Sequence, residues 1–292
     1  MGMSLVAMKQ PYLLQVMYDD DPLNPRTDYD NFGHMVCWHS RYNLGDEHDY
    51  EDSNELFQRL VLDNISADAV IDYVKSGKAE DVRLVQNTTT SQWEIQSMSS
   101  YYKDWRSDWI FNDSLENSKQ EILESLVESL SNKDLYVLAA EKNIILPLNL
   151  YDHSGLRMSA SSFVGRAQHA EWDSGQVGWI YATPEDIQKE YGNCSKESME
   201  RAVALLKSEV ETYDYYLSGQ CYGFRLFENG EETDSCWGFL GAFQDVIKEI
   251  AGEVLPESHR DMVEHLHEVS DTVTRAKDYE DFVEDLEEME EA

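Results

Sequence analysis

Short apolar runs bounded by turn residues recur along the chain and predict β-strands. Asn229-Gly230 lies between two such runs and is the strongest short hairpin signal in the sequence. Ser154-Gly155 separates a second pair of runs in the same way. The predicted strands cover residues 11–18, 34–39, 144–151, 156–159, 171–181 (a turn followed by a strand) and the two runs within 221–237.

Segments between these runs carry apolar residues at helical spacing. Residues 114–131 have the clearest amphipathic pattern, and Thr183-Pro184 begins another helix because a capping residue precedes a proline at the first helical position. The other predicted helices cover residues 53–76, 133–142, 195–217, 241–252 and 258–276. Residues 77–113 are ambiguous, and the aromatic pattern of residues 101–109 suits a helix or a partner surface.

Strands in three blocks separated by helical spans predict an α+β fold, with a mainly antiparallel sheet flanked by helices and an acidic helical C-terminus. Residues 1–52 and 143–252 are expected to build the main domain, with the histidine-rich motif in the first part. Residues 53–142 are expected to form a helical insertion or subdomain, and residues 253–292 an acidic helical tail.

The net charge of the chain limits the classes of ligand that it can bind. The 292 residues include 58 acids and 23 bases, for a formal net charge of −35. Nucleic acid as a direct ligand and an anionic membrane surface are both disfavoured, because a polyanion requires a basic footprint. A basic partner protein, a divalent cation or solubility alone remain as explanations of the acidic excess. The oligomeric state is left open.

Cysteine use and hydropathy indicate the compartment. The four cysteines are far apart and form no CxxC pair, which excludes a zinc ribbon or a thioredoxin-like motif. No apolar stretch approaches membrane-spanning length, and the N-terminus lacks the pattern of a signal peptide. We therefore expect a soluble cytoplasmic protein with reduced thiols.

Histidines and aspartates concentrate in two blocks, around residues 34–49 and 152–173. Together they suggest a divalent-metal site that activates water, with zinc, manganese or iron as the metal. The alternative is that the blocks are tight turns whose side chains bond backbone amides, because no HExxH or HxH spacing occurs. No cofactor is predicted, and a divalent metal is left open. The candidate residues are His34, His39, Asp46, His48, Asp152, His153 and Asp173.

A loop rich in proline, asparagine and aspartate follows the first predicted strand. Its carboxylates can hold a hard cation such as calcium or magnesium through oxygen ligands, although the spacing is not that of an EF-hand. Asx turns and a link to Arg26 explain the same residues without a metal. These carboxylates are Asp19, Asp20, Asp21, Asp28 and Asp30.

Several motifs resemble a family of uncharacterised proteins encoded by bacteriophages and other mobile elements. The motifs are YDDDPLNPR (18–26), NFGHMVCWHSRYNLGD (31–46), LYDHSG (150–155), WDSGQVG (172–178) and DSCWGF (234–239). The resemblance covers roughly residues 12–50 and 145–240, and it carries over no catalytic residue. It implies a phage protein that acts in the cytoplasm of the infected host cell and interferes with host defence.

Charge and this resemblance together predict an acidic phage accessory protein that binds and inhibits a host defence or nucleic-acid-handling protein, with DNA mimicry as one mechanism. The alternative is the metal-dependent hydrolase described above. Among the acids expected to contact a basic partner are Glu284, Asp285, Glu287 and Glu288 of the C-terminal segment.

Overall fold

Antiparallel sheets flanked by helices form the predicted α+β fold, in a computed structural model that describes residues 4–269. The chain divides into two compact units, each assembled from separate segments. The first unit takes residues 4–30, 149–175 and 208–269 of the described chain, and the second unit takes residues 31–148 and 176–207. The domain limits predicted after residues 52, 142 and 252 fall inside these units.

The described residues contain the following elements. The strands are β1 (Ser4–Lys9), β2 (Tyr12–Tyr18), β3 (His34–Cys37), β4 (Val82–Gln86), β5 (Trp93–Ser99), β6 (Asp104–Phe111), β7 (Ile144–Asp152), β8 (Leu156–Ser159), β9 (Ser174–Ala182), β10 (Cys221–Glu228), β11 (Glu231–Leu240) and β12 (His267–Val269). The helices are α1 (Ser53–Asn64), α2 (Ala67–Lys75), α3 (Lys119–Ser129), α4 (Asn132–Ala139), α5 (Ala170–Asp173), α6 (Pro184–Tyr191), α7 (Lys196–Leu217) and α8 (Phe243–Val254), and a 3-10 helix covers Glu257–Glu264.

A five-stranded antiparallel sheet forms the centre of the first unit. Its order is β11-β10-β2-β1-β12, so that β11 and β12 are the two edges. Val16 lies between Leu5 and Phe224 in the register, and paired residues of neighbouring strands share a face. Helix α8 packs on this face through Val246 and Ile250. The apolar positions of β2 and β10 therefore build the core of the first unit.

Two segments of the first unit differ from the predicted elements. No strand is predicted over β1, which pairs with β2 on one side and with β12 on the other. The helix predicted over residues 258–276 begins as the 3-10 helix Glu257–Glu264 and is wrong from residue 265 to residue 269, where the chain turns and forms β12. Pairing with β1 supplies the backbone hydrogen bonds that a continued helix would otherwise provide. Residues 270–276 lie outside the described residues.

The core of the second unit is mainly helical. Phe57, Ile95, Leu126 and Leu135 are among its fully buried side chains. The predicted helix over residues 53–76 is two helices, because the Ser66 side chain accepts from the amide of Ala69 and starts α2.

The prediction of a helical segment over residues 53–142 is wrong between residues 82 and 111. This stretch forms the three-stranded antiparallel sheet β4-β5-β6. The polar residues after β4 make the hairpin turn, in which the Asn87 side chain accepts from the amides of Thr89 and Thr90. Leu84 and Ile95 pair across the strands and both face the core. Val82, two residues before Leu84, also faces the core, so the apolar residues of β4 have the two-residue period of a strand.

Two further antiparallel pairs occur among the described residues: β3 pairs with β9 in the second unit, and the end of β7 pairs with β8 in the first. Gly178 of β9 allows close approach, because a Cβ there would lie 2.0 Å from the Val36 carbonyl oxygen. Within residues 4–269 no helix has the length and apolar character needed to span a bilayer.

Candidate functional site

The histidine-rich block after β3 folds back onto that strand. The Asp46 amide donates to the Met35 carbonyl at 2.8 Å, and its carboxylate accepts from the Met35 amide at 2.7 Å. Gly45 makes the turn with a φ of 74°, and a Cβ there would lie 2.5 Å from the Met35 carbonyl oxygen. Nε2 of His48 lies 3.0 Å from the Cys37 carbonyl. Asp46 and His48 therefore close a backbone loop, as the turn interpretation expects.

The other two histidines of this block also have local partners. Nδ1 of His39 accepts from the amides of Arg41 and Tyr42 at 3.3 and 3.2 Å. Nε2 of His34 lies 3.3 Å from the carboxylate of Asp186, which also accepts from the Thr183 amide in the capping box of α6. These contacts fix a turn and a helix start.

Two of the candidate residues in the first unit meet. Nδ1 of His153 lies 2.9 Å from the Asp173 carboxylate, and both side chains are partly exposed. The His153 ring stacks on Tyr151 at 5.8 Å, and the ring of His169 lies 6.0 Å away. His169 is not among the residues predicted from the sequence. It immediately precedes α5 and has a left-handed φ of 57°. Asp152 lies opposite Leu156 in the β7–β8 hairpin.

This pair falls short of a metal centre. Among residues 4–269, no group of three or more His, Cys, Asp or Glu side chains is arranged to hold a metal ion. A zinc or manganese site normally requires at least three protein ligands. The chemistry that the described geometry supports at His153 and Asp173 is a hydrogen-bonded imidazole–carboxylate pair.

The acidic loop after β2 is held by its own hydrogen bonds. Asp19 accepts from the amide of Asp21 at 3.1 Å, and Asp28 accepts from the amide of Asn24 at 2.8 Å. The Arg26 guanidinium is buried and donates to Glu209 at 3.0 Å. An Asx turn at Asp19 and the hydrogen bond from the Asn24 amide to Asp28 explain these two carboxylates without a cation. The remaining predicted carboxylates of this loop, Asp20, Asp21 and Asp30, are exposed at the surface of the first unit.

A buried thiol lies next to this loop. The Cys221 Sγ is 3.8 Å from the Asp19 carboxylate. Burial, together with the negative charge of Asp19, raises the pKa of the Cys221 thiol to about 11. Cys221 is therefore a protonated core residue and not a nucleophile at neutral pH.

The acidic excess is a property of the described residues as well as of the tail. Glu284, Asp285, Glu287 and Glu288 lie outside the described residues. Of the 58 acids and 23 bases, 10 acids and 2 bases follow residue 269, which leaves 48 acids, 21 bases and a formal net charge of −27. The anionic surface therefore does not depend on the C-terminal segment.

The most acidic strand is β11, at one edge of the five-stranded sheet. It follows the Asn229-Gly230 turn, where both residues have the positive φ that such a turn requires. Every residue from Glu231 to Trp237 is exposed. The sequence predicts the hairpin correctly, but it does not reveal that β11 is an edge strand.

Side chains on β11 differ in how they are held. The Glu232 carboxylate accepts from Arg225 of β10, and this contact holds the pKa of Glu232 below its usual value. The Trp237 ring lies over Gly223, where an added Cβ would be 2.0 Å from a ring carbon. Glu231 and Asp234 make no side-chain hydrogen bond or ion pair with any residue in the range 4–269.

Strand β6 is an edge of the three-stranded sheet in the second unit. The Arg83 guanidinium lies 4.1 Å from the ring of Trp105. Next to this pair, the buried Glu94 carboxylate accepts from Ser107, Asn87 and Gln96. These hydrogen bonds hold the pKa of Glu94 below its usual value. The aromatic segment predicted as a helix or a partner surface is therefore not a helix, because residues 104–109 form part of the exposed strand β6.

Comparison of the chain with family models, with curated proteins and with solved structures gives no match.

Proposed function

We propose that this protein is a phage-encoded binding protein that captures and inhibits a basic host protein, one that handles nucleic acid or acts in host defence. The observation that carries the proposal is the net charge of −27 on residues 4–269, which contain 48 acidic and 21 basic residues. So large an anionic excess attracts a basic partner over a distance of about one Debye length, roughly 8 Å at physiological salt.

Helix α3 shows how the fold displays this charge. Glu121, Glu124 and Glu128 are all exposed, and their spacing of three and four residues places them on one face. Along a helix these intervals correspond to rises of about 4.5 and 6 Å. A row of carboxylates at this spacing resembles the charged edge of a nucleic-acid backbone, which supports mimicry of DNA toward a protein that normally binds it.

Capture from a lysate of the host bacterium on immobilised full-length protein, followed by elution in a salt gradient, tests this function. We expect a basic protein to elute, and we expect its affinity, measured afterwards with the purified partner, to fall as salt rises. Replacing Glu121, Glu124 and Glu128 by glutamine removes three charges and is expected to slow association. Replacing the same residues by aspartate retains the charge and is the matched control. Capture that is indifferent to salt, or no capture, would contradict the proposal.

A second candidate, a divalent-metal-dependent hydrolase, rests on the contact between His153 and Asp173. A metal there needs further ligands from the solvent or from residues outside the described range, because no cluster of three is found within it. Elemental analysis of the purified protein tests it, and one tightly bound transition metal per chain is the expected result for the enzyme.

A further inference from the structure

The outer edge of β11 has unpaired backbone groups. The strand has ten residues and pairs on one side only, with β10, and no other strand among residues 4–269 lies beside it. An edge strand presents a row of N–H and C=O groups that can accept another strand. Short length, a β-bulge, or a covering helix or loop usually blocks such an edge. The β10–β11 ladder has two register irregularities, but residues 234–237 pair regularly between them, and residues 231–237 are all exposed.

The two faces of β11 have different side chains. Asp234 is opposite Leu226, whose side chain packs toward α8, so Asp234 points to that face. Trp237 is opposite Gly223 and therefore points to the other face, where Glu232 contacts Arg225. A strand lying about 4.8 Å from β11 would bring its own side chains next to an acid on either face and next to the Trp237 ring on one.

We propose that the edge of β11 binds an extended basic segment of the partner protein by strand addition. This inference rests on the proposed function, because it takes from it the basic character of the partner. Backbone hydrogen bonds to β11 would supply affinity, and the side chains of the segment would supply specificity. Arginine or lysine at alternate positions fits best, because these cations all lie on one face of the added strand and can meet the unpaired carboxylate of Asp234. The apolar residues between them then lie on the other face, next to the half-exposed Trp237 ring.

A labelled peptide of eight residues with alternating arginine and valine tests strand addition, with the full-length protein and fluorescence anisotropy as the readout. Two further forms of the peptide carry N-methyl groups, each on one alternate set of amides, and have the same charge. Strand pairing uses only one set, so we expect one methylated form to lose at least about tenfold in affinity and the other to bind normally. Equal binding of all three forms would overturn strand addition and leave the electrostatic function standing.

Charge reversal locates the site. Asp234→Lys is expected to weaken binding of the unmethylated peptide by at least about tenfold, because it places a like charge beside the bound segment. Asp63→Lys, at an exposed position of α1 in the second unit, changes the net charge equally and is expected to weaken binding less than about twofold. Equal losses in the two variants, or failure of the peptide to bind at all, would overturn the assignment to β11. Salt-dependent capture of a basic host protein is a separate measurement, so its failure alone would identify failure of the proposed function.

Discussion

The edge strands β6 and β11 are both exposed, but the charged side chains on and beside them differ in whether they have hydrogen-bond or ion-pair partners. On the sheet of β6, Arg83 stacks on Trp105 and the Glu94 carboxylate receives three hydrogen bonds. On β11, Arg225 is the counter-ion of Glu232, whereas Glu231 and Asp234 have no partner among residues 4–269.

The difference shows that exposure alone does not identify a binding surface. A charged group that is already hydrogen-bonded must lose those bonds before it can contact a partner, which costs free energy. An exposed carboxylate that has no protein partner needs only to release bound water when it contacts another molecule, and no neighbouring cation weakens its attraction for a basic partner. In this protein the charged groups of Arg83 and Glu94 are held by other residues of the sheet of β6, whereas Glu231 and Asp234 of β11 are not held by any described residue.

The packing of Trp237 on Gly223 gives the largest expected effect. Gly223→Val places a side chain where the ring lies and is expected to destabilise the protein by about 1–3 kcal/mol, because the ring must leave its position. Gly252→Ala on α8, where a Cβ meets no atom within 4 Å, is the control and is expected to stabilise by about 0.5–1 kcal/mol. Urea unfolding monitors both. An unchanged midpoint for Gly223→Val would show that β11 is not held by this contact.

The stack of Arg83 on Trp105 gives a smaller effect. Arg83→Met retains the length of the side chain but removes the cation over the ring and two hydrogen bonds to Gln96. We expect a loss of about 1–2 kcal/mol. Arg106→Met, at the exposed Tyr102, is the matched control with an expected loss below about 0.5 kcal/mol. Similar losses in the two variants would show that β6 is no better satisfied than an ordinary surface strand.

The dependence of stability on pH gives the smallest expected effect. Glu94 and Glu232 both have lowered pKa values, from hydrogen bonds donated by Ser107 and by Arg225 respectively. A carboxyl group whose pKa is lower in the folded state stabilises the protein above its unfolded pKa and loses that contribution as pH falls through the folded pKa. We therefore expect the stability difference between wild type and Glu94→Gln, and between wild type and Glu232→Gln, to shrink between about pH 5 and pH 3.

The effect of salt on stability is expected to differ between Glu94 and Glu232. The partners of Glu94 are neutral, so high salt is expected to leave its contribution unchanged, while the Arg225–Glu232 ion pair is expected to weaken. Urea midpoints measured at low and high salt, at pH 6 and pH 3, give both comparisons. A salt-sensitive contribution from Glu94 would contradict the hydrogen-bonded network described for β6.

The candidate histidines and aspartates show how far local sequence defines a site. The tight turns around Gly45 and Ser154-Gly155 are visible in the sequence, because each has the residue types that turns require. The contact of His153 with Asp173 joins residues twenty positions apart, and neither residue by itself indicates it. His169 was missed for the same reason, since its position near His153 depends on the path of the chain after β8.

Sequence alone determined the α+β class, most of the helices, the hairpin at Asn229-Gly230 and the acidic surplus, because these follow from local periodicity, turn chemistry and composition. Only the tertiary structure decided that residues 82–111 form a sheet and that β11 lies at an edge. The reason is physical: strand order and the pairing of charges depend on contacts between residues far apart in the chain, and local pattern does not encode those contacts.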